Sequence, residues 1–252
     1  MIFESKFDVY RAEIEKLPKL KSLEKEDLLK KEFLIAQEAE LAIYYTTHNE
    51  YIHREANILI VGITPGWHQM KTAYESAIKS LTLNKEKEEL LRQAKVDAGF
   101  SGQMRRNLCD MLDEIGLANM FGLNSTTELF TSNHELLHTT SLIKYPTFYK
   151  NKNYTGHVPA INKSGLLNTF AYTEFPKELK MLEKPLLIVP LGKAVENVIR
   201  NLKNENKIKQ HTCLYGFPHP SGANGHRQKQ FDENKAEFEK VIKKFTKKIN
   251  RE

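Results

Sequence analysis

Residues 57–70, NILIVGITPGWHQM, constrain the fold more than any other stretch. Ile58, Leu59, Ile60 and Val61 form a short, unbroken apolar run rich in β-branched side chains. Such a run suits a strand buried on both faces, as in a parallel sheet. It stops at Gly62-Ile63-Thr64-Pro65-Gly66. Pro65 cannot donate to a ladder and biases Thr64 toward extended backbone. Gly66 lets the chain turn sharply and lets another molecule approach the backbone. A polar tip at the carboxyl end of a central parallel strand is where open α/β sheets bind ligands. A second loop, GFPHPSGANGHR at 216–227, follows a strand expected over 211–215. Its two prolines and three glycines exclude helix or sheet interior, and it carries His219, Ser221, Asn224, His226 and Arg227.

The chain of 252 residues is long enough for one large α/β domain with its own core. No apolar run approaches the roughly 20 residues of a membrane span, and the N-terminus lacks the basic-then-apolar order of a signal peptide. Cys109 and Cys213 are the two cysteines, which excludes a Cys₄ zinc site or a Cys-ligated cluster from one chain. With no disulfide framework, a reducing, cytoplasmic location is expected. The formal net charge of +6 is compatible with a nucleic-acid partner.

In chain order, 3–18 and 23–45 read as helices, a packing layer with no residue that demands a chemical role. Residues 69–96 read as mostly helical. Ser101 is placed to cap a helix running to about Ile115, with Met104, Leu108, Met111 and Leu112 on one face and Gly116 as its stop. Arg105 and Arg106 fall in its first turn, where they oppose the dipole unless phosphates come close; two solvated arginines are the equal alternative. A second strand is expected over 136–145, ended by Pro146, and the basic-aromatic run around 144–154 fits a nucleic-acid backbone, the alternative being rings packed on the domain with solvated lysines. Helices are expected at 162–170, 176–183 and 193–203, a third strand at 186–191, and a lysine-rich amphipathic helix at 228–249. That helix reads as core packing ahead of a membrane-surface role. Strands alternating with helices argue for a mostly parallel sheet covered on both faces.

Four places in this order resemble the uracil-DNA glycosylase superfamily: Gly62–Gly66, the helix after Phe100, residues 139–146, and the His219–Arg227 loop. The third strand with Gly192 also falls where that family has one. The resemblance implies a three-layer α/β/α fold around a four-stranded parallel sheet, as a single domain over 1–252 with an N-terminal helical extension of about 50 residues. It implies DNA binding across the carboxyl ends of the strands and flipping of a damaged base into a pocket. Carried over residue by residue, Thr64 takes the water-handling place and His219 the donor to the base oxygen. Gly62, Ile63, Pro65, Gly66, Phe100, Thr140 and Ser141 take the substrate-binding places, Phe100 by stacking. Ser101, Arg105, Arg106, Ser221, Gly222, Asn224, His226 and Arg227 take the DNA-binding places.

Three departures matter. Active members carry Asp, Asn or Glu where this chain has Thr64, and a threonine hydroxyl does not ionise near neutral pH. His68, Glu75 and Asp97 are the candidate substitutes for it. Thr140 and Ser141 stand where a base-reading Asn is common. Gly66 replaces a bulky ring of some members, which implies a roomier pocket. The leading expectation is a monofunctional, metal-free and cofactor-free DNA glycosylase for uracil or another deaminated base. It would act as a monomer on damaged or single-stranded DNA, with no membrane partner. A nucleic-acid-binding member with weak or no catalysis is the alternative. An unrelated α/β hydrolase ranks lower, because GxSxG, P-loop and GxGxxG are all missing. A metal site from His211, His219 and His226 matches no common spacing.

Overall fold

The computed structural model describes residues 1–2, 4–19, 21–208 and 211–249. Its helices and strands in chain order are α1 (Phe7–Glu15), α2 (Lys25–Leu28), β1 (Leu34–Glu38), β2 (Leu41–Tyr44), β3 (Ile58–Gly62), α3 (Trp67–Thr82), α4 (Lys87–Ala98), α5 (Gln103–Glu114), α6 (Leu117–Met120) and β4 (Leu137–Ser141). They continue with β5 (Thr147–Tyr149), β6 (Lys152–Asn153), α7 (Gly165–Thr169), α8 (Phe175–Leu179), β7 (Leu187–Pro190), α9 (Lys193–Asn204), β8 (Thr212–Cys213) and α10 (Arg227–Ile249). The chain forms two compact units. The first holds Met1–Ile52, Ile63–Ser101 and Thr139–Met181; the second holds His53–Gly62, Gly102–His138 and the chain from Leu182 onward.

The four-stranded parallel sheet expected from the sequence is present, in the order β4-β3-β7-β8. Strand β3 pairs with β7 in parallel, Ile58 opposite Leu187 and Val61 opposite Pro190, and β7 pairs with β8. Asn57 N–H donates to the Leu136 carbonyl and Ile143 N–H to the Ile63 carbonyl, so β4 advances in the same sense as β3. Every residue of β3 and β7 is buried, which is why both read as unbroken apolar runs rather than alternating ones. In the second unit, α10 buries Phe231, Phe238, Ile242 and Phe245, and Phe231 and Phe238 both contact Phe217. The 228–249 helix is therefore a core element.

The first unit differs from expectation at the N-terminus. The helix expected over 23–45 is replaced by the single turn α2 and the antiparallel hairpin β1–β2, with Glu38 opposite Leu41. Strand β2 alternates buried Leu41 and Ile43 with half-buried Ala42 and Tyr44, a period of two that the helical reading overlooked. The two-residue connection puts Ala39 at φ +50°, where a glycine would have announced the turn. Strands β5 and β6 extend this sheet to the order β1-β2-β5-β6, so part of the basic-aromatic run at 144–154 is ladder, not loop.

Candidate active site

In the first unit, the loop after β3 is held by Thr64. Its hydroxyl donates to the Tyr145 carbonyl at 2.7 Å and accepts from the Thr147 amide at 3.0 Å. Thr64 is 9% exposed. Its one proton and an acceptor position are thus taken by the turn between β4 and β5. Tyr145 is held in turn from the N-terminal segment: its hydroxyl donates to the Glu50 carboxylate, which also receives Ser5 Oγ, Lys6 N–H and Tyr45 OH. A fully buried carboxylate needs such donors. Nothing in the sequence pattern singled out Glu50, because its partners come from distant stretches of chain.

Gly66 caps α3, and the Trp67 amide donates to Asn153 Oδ1 at 3.0 Å. A Cβ added at Gly66 would stand 3.3 Å from Asn153 Nδ2. The room that a glycine was expected to leave is filled by this amide from β6. Asn153 was missed because it lies 87 positions downstream of Gly66. Phe100 is 4% exposed and sits at φ +51°. A bulky side chain in that region is strained, and such strain clusters at functional sites. Its turn passes against β4: a Cβ on Gly99 would lie 3.0 Å from Thr139 Oγ1. Thr140 is 2% exposed, and neither its hydroxyl nor that of Ser101 has a hydrogen-bond partner among the described residues. Ser141, next to Thr140 in sequence, is buried too. The candidate bases differ in state: His68 is exposed, Glu75 accepts from Leu23 N–H, and Asp97 accepts from Ser76 Oγ at 2.6 Å.

In the second unit, the loop after β8 is braced by its own side chains. His219 Nδ1 accepts from the Ser221 amide at 3.2 Å, which leaves the proton of a neutral imidazole on Nε2. Burial pushes the His219 pKa down, so that neutral form dominates. Asn224 Nδ2 donates to the His219 carbonyl and Arg227 Nη1 to the Ser221 carbonyl. Ser221 Oγ accepts from Ala223 N–H, and His226 N–H donates to Asn224 Oδ1. Gly192, at φ +85°, lets the loop close, since a Cβ there would be 3.2 Å from His219 Cβ. Helix α5 clamps the same loop: Asn107 Nδ2 donates to the Pro220 carbonyl at 2.8 Å. Gln103 orients Asn107 and receives Arg106 in turn.

The start of α5 is a correction: its N-cap is Gly102, not Ser101. Arg105 lies over the Phe130 ring at 4.8 Å. Gly222 is exposed in the loop tip, and Gly62 ends β3. Both cysteines are buried, and burial pushes the Cys109 thiol up to about 11, so neither is a reactive thiolate. Among the described residues no three or more His, Cys, Asp and Glu side chains group to hold a metal ion.

A strand-end loop braced on Tyr145 and a His loop with its imidazole held at Nδ1 stand at the two places where the sequence resembles a family of DNA-repair enzymes. The family model for the uracil DNA glycosylase superfamily matches residues 49–246. The chain belongs to that superfamily, with its α/β fold. It is also 51% identical over 224 residues to the uncharacterized protein YoxB of Bacillus subtilis (strain 168), a match covering 89% of this chain and 88% of that one. No solved structure matches the chain significantly. Among the described residues, no helix is long and apolar enough to cross a membrane.

Proposed function

We propose that this protein is a monofunctional DNA base-excision glycosylase that flips uracil or another deaminated base and hydrolyses its N-glycosidic bond. The observation that supports this best is His219, braced at Nδ1 by the Ser221 amide and kept neutral by burial. In the reaction the C1′–N bond breaks toward an oxocarbenium-like sugar, and its electron pair leaves with the base. Water adds to C1′, and the proton it gives up ends on the anionic base, by way of solvent. The Nε2–H of His219 donates a hydrogen bond to the base oxygen on which charge develops, the oxyanion logic that is typically worth about 10²–10³-fold. Phe100, Thr140 and Ser141 are assigned to the base. Thr140 and Ser101 carry hydroxyls that a ligand would satisfy. Ile63, Pro65 and Gly66 supply the loop, with Gly62 at its root. Ser221, Gly222, Asn224, His226 and Arg227, with Arg105 and Arg106, are assigned to the DNA strand.

Thr64 supports a second reading, a DNA-binding member with weak or no excision. Its hydroxyl proton is donated to the Tyr145 carbonyl, so it cannot donate to a water or act as a general base. General-base help is typically worth about 10²–10⁴-fold, so a slow enzyme remains consistent with the first reading. The test is excision from labelled oligonucleotides carrying uracil, hypoxanthine or a mismatched thymine, single- and double-stranded, with excess protein and then alkali. Cleavage at one lesion that is lost in His219→Ala supports a glycosylase. Binding with no cleavage on any substrate supports the second reading.

A further inference from the structure

A groove of about 760 Å³ runs between the edge strand β8 and helix α10 in the second unit. Among the described residues five lysines line it, Lys203, Lys240, Lys244, Lys247 and Lys248, against one acid, Glu237. The acids of α10, Asp232, Glu233, Glu237 and Glu239, all precede Lys240 and are interspersed with Lys229 and Lys235, whereas the ten residues from Lys240 to Ile249 carry five lysines and no acid. Lys240, Lys244, Lys247 and Lys248 recur at helical spacing, so they share one face of α10. Like charges three and four residues apart repel. Glu237 pairs with Lys240, while Lys244, Lys247 and Lys248 have no ion pair among the described residues. The helix dipole accounts for cations in the last turn, Lys247 and Lys248. Lys203, in the last turn of α9 and over the Tyr215 ring, is accounted for in the same way, but Lys240 and Lys244 are not. We propose that this groove binds the phosphodiester backbone of nucleic acid, as a second contact surface separate from the His219 loop.

The chemistry of the groove selects that ligand. Its aromatic residue, Phe245, is 1% exposed and so offers no face on which a base could stack. Phe231, Phe238, Ile242 and Phe245 of α10 are turned into the core, and the half-buried Val241 and Ile249 leave little apolar surface to enter a lipid bilayer. Exposed lysine charges with no stacking ring fit a sequence-independent polyphosphate track. Lys240 and Lys248 lie about 20 and 30 Å along α10 from Arg227 at the rise of an α-helix. The groove would therefore grip strand several nucleotides away from whatever the His219 loop holds.

The test is fluorescence anisotropy of a labelled, undamaged 30-base-pair duplex against the full chain, from 50 to 200 mM salt. The variant Lys240→Gln/Lys244→Gln/Lys247→Gln/Lys248→Gln is expected to bind more weakly. Its log K against log salt slope is expected to flatten by about 1 to 4, since each neutralised phosphate contact contributes about 0.9. Glu237→Gln, which removes the acid of the groove, is expected to tighten binding. Circular dichroism reports folding, and the pair Lys244→Gln/Lys248→Gln decides the matter if the fourfold variant unfolds. Unchanged slope and affinity in folded variants would overturn the proposal. So would loss of binding to anionic phosphatidylglycerol vesicles with DNA binding intact. The comparison needs no damaged base and no excision, so its failure is distinct from failure of the glycosylase reading.

Discussion

Replacing Thr64 by valine keeps the shape of the side chain and deletes its hydroxyl, which isolates what the hydroxyl does. In the native loop it accepts from Thr147 N–H at 3.0 Å and donates to the Tyr145 carbonyl at 2.7 Å. The carbonyl keeps a partner in the variant, because Thr147 Oγ1 also donates to it at 3.1 Å. The Thr147 amide loses its acceptor in a fully buried setting. Leaving one buried donor unsatisfied costs about 1–3 kcal/mol. For a chain of this size that lowers Tm by roughly 2–12 °C, at about 2–4 °C per kcal/mol. Thr64→Ser, which keeps the hydroxyl and loses one methyl, should cost about 1 kcal/mol or less. Thermal unfolding of the two variants measures the difference. A Thr64→Val melting temperature within about 1 °C of wild type, or a serine variant that falls further than the valine one, would refute the claim that this hydroxyl ties the loop to the turn after β4. Thr64→Asn should keep more of that tie than Thr64→Asp, because an amide can donate to the Tyr145 carbonyl and a carboxylate cannot.

Excision should persist as pH falls below 6.5, because burial holds the His219 pKa beneath that ordinary value; an acid limb centred at or above 6.5 would contradict a neutral His219 donor. Stability should be fullest above pH 6.5 and be lost as pH falls toward 4, since burial holds His48 at about 3 and His211 at about 4 while the unfolded chain takes up protons near 6.5; urea midpoints flat from pH 7 to 4.5 would count against this. Gly192→Ala adds a Cβ 3.2 Å from His219 Cβ at φ +85°, so it should cost about 1–2 kcal/mol in backbone strain and reduce excision more than DNA binding, which paired kinetic and anisotropy measurements would separate. Gly66→Ala meets Asn153 at 3.3 Å, so its destabilisation should shrink when made on Asn153→Ala; strictly additive melting temperatures would show that the two do not touch.

The site was legible where chemistry is local and obscure where it is assembled. His219, Ser221, Asn224 and Arg227 sit within nine consecutive residues, and the loop is braced by bonds among those same residues. Their types and order therefore carried the signal. Glu50, Tyr145, Asn107 and Asn153 act through partners 81 to 113 positions away or through carboxylate and amide contacts that no local pattern records. The β1–β2 hairpin escaped for a different reason. Leu34, Ala36, Leu41 and Ile43 satisfy a loose helical spacing as well as an alternating one, and Ala39 turns the chain without the glycine that marks such turns.

Sequence by itself determined the parallel strands, because burial on both faces demands apolar runs such as ILIV and LIVP, and the breakers after them demand loops at the strand ends. It also determined the residue types on those loops. Tertiary structure decided what the side chains are free to do. It committed the Thr64 proton to the Tyr145 carbonyl, filled the space at Gly66 with Asn153, left the Thr140 hydroxyl buried without a partner among the described residues and fixed the proton of His219 on Nε2. A hydroxyl, an amide or an imidazole carries the same label in every sequence. Which of its donors and acceptors remain for a substrate depends on the backbone groups that folding brings within 3 Å or so of it.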